Sequence, residues 1–163
     1  TGMADGTRLR KSDPIIHCIG EIDELNSLIG FLAAANDSEK HKGSLIRIQN
    51  CLFNIGGSLS LGSDDSIKEG DISFIEEEIN LLNADLPNLE NFILPGGHST
   101  SALAQLVRSV CRRCERSLVS LDEKQSIEER KIIYINRLSD LFFVMARSIN
   151  KEKNYQEVLW QQT

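Results

Sequence analysis

The sequence is poor in the residues that break helices, staple loops or span membranes. Only three of its 163 residues are proline, at Pro14, Pro87 and Pro95, and 6% are aromatic, so most of the chain carries nothing that forbids helix. No run of about 18 apolar residues occurs, which excludes a transmembrane helix. Basic residues are outnumbered, 18 Lys and Arg against 24 Asp and Glu, and the net charge of -6 argues against a duplex nucleic-acid binder, which needs a net basic footprint, while leaving room for a local basic pocket. A Walker-type phosphate loop is missing, as is any Ser-His-Asp or Cys-His spacing that would mark a nucleophile. None of His17, His41 and His98 has a glutamate three residues before it, which removes the Glu-x-x-His signature of di-iron bundles.

Four cysteines are present, Cys18, Cys51, Cys111 and Cys114, each in an apolar and helix-like context. That setting is unlike a disulfide-stapled secreted domain, and they read as reduced thiols in a reducing compartment. Cys111-x-x-Cys114 lacks a second ligand pair, so core packing is the reading rather than zinc. The chain starts at Thr1-Gly2 without an initiator methionine, which suggests that a leader or flexible start precedes it and leaves targeting open.

What is there is apolar periodicity of three and four. With 40% hydrophobic residues and a mass of 18.2 kDa, the chain can bury one sizeable core, so residues 1–163 are expected to form one domain. Asp13-Pro14 opens a first helix carrying Ile15, Ile19, Ile22, Leu25, Ile29 and Leu32, stopped at Asn36-Asp37. A second is predicted from about Ser44 to the Gly62-Ser63 break, and a third from Asp71 as N-cap to just before Leu86-Pro87. A linker from Pro87 to Gly97 leads into a fourth helix that runs to about Leu121, and a fifth takes in Ile132 to Ile149. The fold class is therefore all-α, a bundle of five helices with a four-helix core plus one.

Chemistry must come from residues that break the apolar pattern. On the fourth helix, Arg108, Arg112, Glu115 and Arg116 follow at i, i+4, i+7 and i+8, three guanidiniums around one carboxylate. Such a face suits a polyphosphate, with Glu115 orienting the arginines, although a charged stripe on a helix is more often simply its solvated side. On the fifth, Asn136, Asp140, Phe143 and Arg147 share a face, suited to nucleotide hydroxyls or to plain exposure. Asp23 to Ser27 interrupts the apolar first helix, and a buried Asp23 would need Arg108 or Arg112, from this chain or a neighbour. Gly96-Gly97 before a helix start permits close approach of an anion or simply makes a turn. The run Glu76 to Glu78 reads as a solvated helix start.

Four segments then resemble one family in order and spacing. They are Ile19-Gly20-Glu21-Ile22-Asp23-Glu24-Leu25-Asn26-Ser27, Phe92-Ile93-Leu94-Pro95-Gly96-Gly97, Arg108 to Glu115-Arg116, and Asn136-Arg137-Leu138-Ser139-Asp140-Leu141-Phe142. Together they are similar to the PduO-type ATP:cob(I)alamin adenosyltransferases. The resemblance implies transfer of the 5′-deoxyadenosyl group of ATP to cob(I)alamin, giving adenosylcobalamin and inorganic triphosphate. A non-catalytic corrinoid-binding or carrier relative is the alternative. It further implies an up-and-down bundle in a homotrimer whose sites lie between subunits, with ATP and Mg2+, a corrin reductase and an adenosylcobalamin-dependent client as partners, and a cytoplasmic or mitochondrial-matrix location.

By the same resemblance, Arg108, Arg112, Asp23 and Phe92 carry catalysis, Asp23 bridging to Arg108 across the subunit boundary. Thr1, Gly2, Lys11, Arg108, Arg112, Glu115 and Asn136 hold ATP, while Phe92 and Phe143 face the corrinoid; metal ligands stay unassigned. Phe92 would keep the lower axial base off the cobalt. The family's glycine-rich start, Thr-Gly-Asp-x-Gly-x-Thr, is represented only by Thr1-Gly2. Ile15 and His17 stand near a usual Arg and Glu, and Gln105 near a usual His.

Overall fold

The computed structural model describes residues 1–36 and 39–162, without the side chain of Glu39. Five helices carry the fold: α1 (Pro14–Ala35), α2 (Lys42–Leu61), α3 (Glu69–Ala84), α4 (Ser99–Asp122) and α5 (Glu129–Glu152). A 3-10 turn, Glu39–His41, leads into α2. The helices begin and end where local chemistry says they should. Asp13 caps α1 by accepting from the Ile15 N–H at 3.1 Å, directly ahead of Pro14. Asn36 closes α1, whereas Asp37, the other half of the expected stop, lies outside the described residues. Gly62 ends α2 at φ 62°, a left-handed conformation that glycine adopts without a Cβ penalty.

Two expectations need correction at α3. Its N-cap is Lys68, and Asp71 is its third residue, where the carboxylate reaches back to accept from the Lys68 N–H at 3.2 Å. An acceptor at that position satisfies an orphan donor as well as a capping side chain would, so the helix starts one turn earlier than Asp71 as N-cap implies. Glu76 to Glu78 accordingly sit mid-helix. Glu76 pairs with Arg137 of α5 at 3.2 Å, and Glu78 accepts from the Ser44 hydroxyl of α2 at 2.8 Å.

The helices form a ring in the order α2, α1, α4, α5, α3. Cross-helix bonds give its directions. Cys18 meets Ser117 and Cys114 meets Glu21, which runs α1 against α4, and Ser101 to Ala146 with Glu115 to Asn136 runs α4 against α5. Arg47 closes the ring by pairing with Asp71 at 3.1 Å and stacking over Phe74 at 4.0 Å. A ring of five cannot alternate throughout, and α3 and α5 are the parallel pair, Glu76 lying beside Arg137 and Asp85 beside Lys151. Helices consecutive in sequence nonetheless alternate in direction from α1 to α5, so the expected up-and-down order holds.

Inside lie Leu25, Ile29, Ile48, Ile55, Leu118 and Phe142, with no measurable exposure. All four thiols are free and buried. Burial pushes Cys18 up to about 11 and Cys114 up to about 12, with Glu21 adding to both. No helix among the described residues is long and apolar enough to cross a membrane.

The linker between α3 and α4 crosses one end of the ring and is clamped by Asn150 of α5. That amide donates to the Gly96 carbonyl at 3.1 Å and accepts from the His98 N–H at 3.0 Å. Gly97, between them, has φ 96°, and a Cβ there would collide with the Asn150 side chain. Gly97→Ala should therefore cost about 2–3 kcal/mol in urea denaturation, from left-handed strain plus loss of the amide clamp. The thiols give a pH signature. Unfolded cysteine ionises near pH 8.5 whereas Cys18 and Cys114 stay protonated to about 11 and about 12, so the folded state holds more protons in between. Stability should be complete below that lower value and fall as pH rises toward 11, and urea midpoints at neutral and alkaline pH check this, with Cys18→Ala and Cys114→Ala flattening the decline.

Candidate active site

The residues singled out from the sequence gather on two faces of the ring. On the α4–α5 face, Arg108 is partly buried, and its Nε donates to Gln105 Oε1 at 2.8 Å, one turn earlier on α4. Its guanidinium lies 6.0 Å from the Phe143 ring centroid, over the ring face. Burial and then the like charge of Arg112 push the Arg108 pKa down from its usual value, which still leaves it a cation at neutral pH. Among the described residues its Nε alone has a hydrogen-bond partner, which leaves the two terminal amino groups available as a fork. Arg112 and Arg116 are exposed on the same side.

Glu115 does not orient the arginines as the sequence spacing suggested. Its Oε1 accepts from the Asn136 amide of α5 at 2.8 Å, so its partner is an amide on the neighbouring helix. Helix spacing places residues on a face but does not say which neighbour lies across the seam; here Asn136 is nearer than any guanidinium. Asp140 pairs with Arg137 at 3.3 Å, and Arg147 turns inward to become one of the most buried cations of the chain.

Phe92, Gln105, Arg108 and Phe143 line a single cavity of about 550 Å³, with Leu89 and Ile93 completing its apolar side. Phe92 is 79% exposed, a large aromatic held out into solvent at the mouth. The arrangement offers flat apolar surface beside one oriented cation. It suits a large ligand that is part ring and part anion.

The second face is built from α1 and α2. Gly20, Gly56 and Gly57 open a space where a Cβ would meet nothing, and with Thr1, Gly2 and Asp23 they line a cavity of about 370 Å³. Glycine inside a helix costs about 1 kcal/mol relative to alanine, so three of them here trade helix stability for access to backbone. The expectation of a buried Asp23 is overturned. Asp23 is exposed and faces this cavity, while the buried carboxylate of the segment is Glu21, held by Arg113 at 3.4 Å and His17 at 3.3 Å, with Glu24 also on Arg113. The 3.6-residue period explains the swap: Glu21, Leu25 and Ile29 share the inward stripe, and Asp23 lies some 200° around the helix from Glu21. Within one chain Asp23 therefore touches neither Arg108 nor Arg112.

One feature escaped the sequence reading, which stopped at Gly2. Residues 1–9 fold into a hairpin in which Thr1 and Leu9 exchange backbone bonds at 2.7 and 3.0 Å. Asp5 accepts from both the N–H and the hydroxyl of Thr7 at 2.9 and 2.7 Å, and the turn docks on α2 through the Ala4 N–H to Ser60. The signal was Asp5-Gly6, an ordinary turn pair, followed by a second Gly-Thr step at Gly6-Thr7 that mirrors the Thr-Gly at the start. Lys11 lies exposed after the hairpin and lines neither cavity. Among the described residues no group of three or more His, Cys, Asp or Glu side chains is placed to hold a metal ion.

Comparison with known proteins relates the whole chain to one family. The family described as cobalamin adenosyltransferase matches residues 1–149. The chain is 43% identical over 162 residues to a cobalamin adenosyltransferase of Cupriavidus metallidurans, covering 99% of this chain and 88% of that protein. It is 36% identical over 170 residues to a corrinoid adenosyltransferase of Bacillus subtilis, covering 100% and 88%. In three dimensions it superposes with a TM-score of 0.94 on a phenylalanine-to-alanine variant of a PduO-type ATP:corrinoid adenosyltransferase from Lactobacillus reuteri, complexed with cobalamin and ATP, at 31% identity over 99% of this chain and 94% of that one.

The Glu115–Asn136 bond makes a testable contribution of its own. Glu115→Ala leaves the Asn136 amide without its charged acceptor and should lower stability by about 1–2 kcal/mol in chemical denaturation, with Glu115→Gln costing about half as much.

Proposed function

This chain belongs to the cobalamin adenosyltransferase family and transfers the 5′-deoxyadenosyl group of ATP to cob(I)alamin, giving adenosylcobalamin and inorganic triphosphate; we propose that it does so at a site completed by two copies of the chain. The observation that carries the proposal is the separation described above. Thr1, Gly2 and Asp23 open on the α1–α2 face, whereas Phe92, Arg108 and Phe143 open on the α4–α5 face. A heterologous contact lays one face of a subunit on the other face of its neighbour, and with threefold closure it gives a homotrimer with three equivalent sites. Exposed Phe31, Ile46 and Phe53 on α1 and α2 supply apolar area for such a contact.

In this reading the reaction is displacement at the ribose C5′ by the reduced cobalt of the corrinoid substrate, with triphosphate leaving. The protein aligns the two substrates and stabilises the charge that grows on the departing phosphates. Arg112, exposed and free to approach from α4, and Arg108, fixed through Gln105, would take those oxygens, with Asp23 of the neighbouring copy pairing Arg108. Glu115 would set the Asn136 amide against the nucleotide, and Thr1, Gly2 and Lys11 would lie along the phosphates. Phe92 and Phe143 would form the apolar wall beneath the corrin, a surface on which an axial base finds no hydrogen-bonding partner. Magnesium accompanying ATP would take its oxygens chiefly from the phosphates, since no group of three or more His, Cys, Asp or Glu side chains among the described residues is placed to hold it. The free buried thiols favour a reducing compartment, the cytoplasm or a mitochondrial matrix.

Two measurements test this. In an anaerobic assay with chemically reduced cobalamin, ATP and magnesium, the wild type should form adenosylcobalamin and triphosphate, and Arg112→Ala should be slower by about 10²–10³-fold; corrinoid bound without conversion would instead make the chain a carrier. Mixing inactive Asp23→Ala with inactive Arg108→Ala subunits should restore about a quarter of the sites by random assembly. A site contained in one subunit would give no recovery.

A further inference from the structure

Phe92 stands on a linker that has no helix of its own, so something else must hold it. Among the described residues, the backbone hydrogen bonds of residues 88–94 both run to the C-terminal tail: the Leu94 N–H donates to the Val158 carbonyl at 2.8 Å, and the Trp160 N–H donates to the Phe92 carbonyl at 2.7 Å. Ile93 and Leu159 form the antiparallel bridge between these bonds. The Trp160 ring meets Phe92 edge to face, with centroids 6.3 Å apart. A two-residue bridge is marginal in water by itself. Its persistence requires that the tail be fastened elsewhere.

The fastening is a buried guanidinium. Arg147 of α5 is 4% exposed, and its Nε donates to Glu157 Oε1 at 2.9 Å while Nη2 donates to Glu157 Oε2 at 3.3 Å and to the Pro87 carbonyl at 2.9 Å. One cation thus ties the tail to the start of the linker. The reversal that brings Glu157 there is made at Asn154, in the left-handed region at φ 58°, followed by Tyr155, whose N–H donates to the Asn150 carbonyl at 2.8 Å. Tyr155 also packs edge to face on His98 at 5.4 Å, at the start of α4. No hydrogen bond or ion pair of this network involves Arg108 or Phe143, yet it ends on the backbone of the residue that shares their cavity.

We propose that the tail from Asn154 to Trp160 is a strap that sets the position of Phe92, with the Arg147–Glu157 pair as its latch, which makes Arg147 and Glu157 positioning residues for the corrinoid. This rests on the reading of Phe92 as a corrinoid-facing residue. The latch acts at a distance through two backbone bonds. A shift of about 1 Å at a positioned group can cost 10²-fold in rate even when the mutated residue lies far from the reacting atoms.

Trp160 is the single tryptophan of the chain, so its fluorescence reports on the strap alone. Glu157→Ala is the main variant. Because it leaves a buried cation unpaired, Glu157→Gln, which retains an acceptor for Arg147, provides a folded control, with helix content read by circular dichroism. Release of the latch should shift Trp160 emission to the red and raise its quenching by acrylamide several-fold in Glu157→Ala, and by less in Glu157→Gln. Cob(II)alamin affinity, read by absorbance titration, should weaken about tenfold or more and in the same order, while the ATP affinity stays as in the wild type. The proposal falls if Trp160 stays shielded in both variants, because the pair then does not hold the tail, or if Trp160 is released and corrinoid affinity is unchanged. A wild type that binds cob(II)alamin but forms no adenosylcobalamin when ATP and a chemical reductant that delivers the electron to give cob(I)alamin are added would count against adenosyl transfer and leave the strap to be judged by the same titration.

Discussion

The burial of the second half of α5 on nearly all sides is the constraint from which the rest of this structure follows. From Leu141 to Asn150 every residue except Phe143 is buried, which leaves no solvent to satisfy the polar groups that the segment contains. Arg147, Ser148 and Asn150 must find partners within the protein. Asn150 finds the two ends of the Gly96–His98 turn, and Arg147 finds Glu157 and the Pro87 carbonyl. Each of these partners belongs to a segment without helix, so satisfying an enclosed helix is what gives the linker and the tail their fixed shape. Phe143, the one residue of the stretch that is not buried, opens into the cavity with Phe92 and Arg108.

The two cavities differ in how they are made. The α4–α5 side is shaped by large side chains, with Phe92 and Phe143 as walls and Arg108 held by a hydrogen bond to its own helix. The α1–α2 side is shaped by omission, since Gly20, Gly56 and Gly57 expose backbone. An anion can lie close to the second kind of surface and a flat ring against the first. A reaction that joins a nucleotide to a corrinoid needs both, and one copy of the chain keeps them on different faces. The acidic cluster between them, Glu21 and Glu24 on Arg113, fixes α1 to α4 and so sets how Asp23 and Arg112 are presented.

Much of the fold was legible because helix periodicity and caps are local. Asp13-Pro14, Gly62 and Gly96-Gly97 marked boundaries through backbone preferences that hold in any context. Asp71 was misplaced as an N-cap because a carboxylate serves an orphan donor either from the cap itself or by reaching back three residues, and the sequence does not separate the two. The hairpin at residues 1–9 was passed over because it is too short to show periodicity, although Asp5-Gly6 marked its turn.

For the site, the sequence by itself determined which residue types were present and on which helix face each stood, since a 3.6-residue repeat fixes angular position without reference to any neighbour. That was enough to group Arg108 with Arg112 and Asn136 with Phe143. Only the tertiary structure decided what lay opposite: that Glu115 answers Asn136 rather than an arginine, that Arg147 turns inward to Glu157, and that Arg113 is the cation that answers Glu21. Partners across a seam depend on the register and spacing of two helices, and those are set by packing of the whole core rather than by any stretch of sequence.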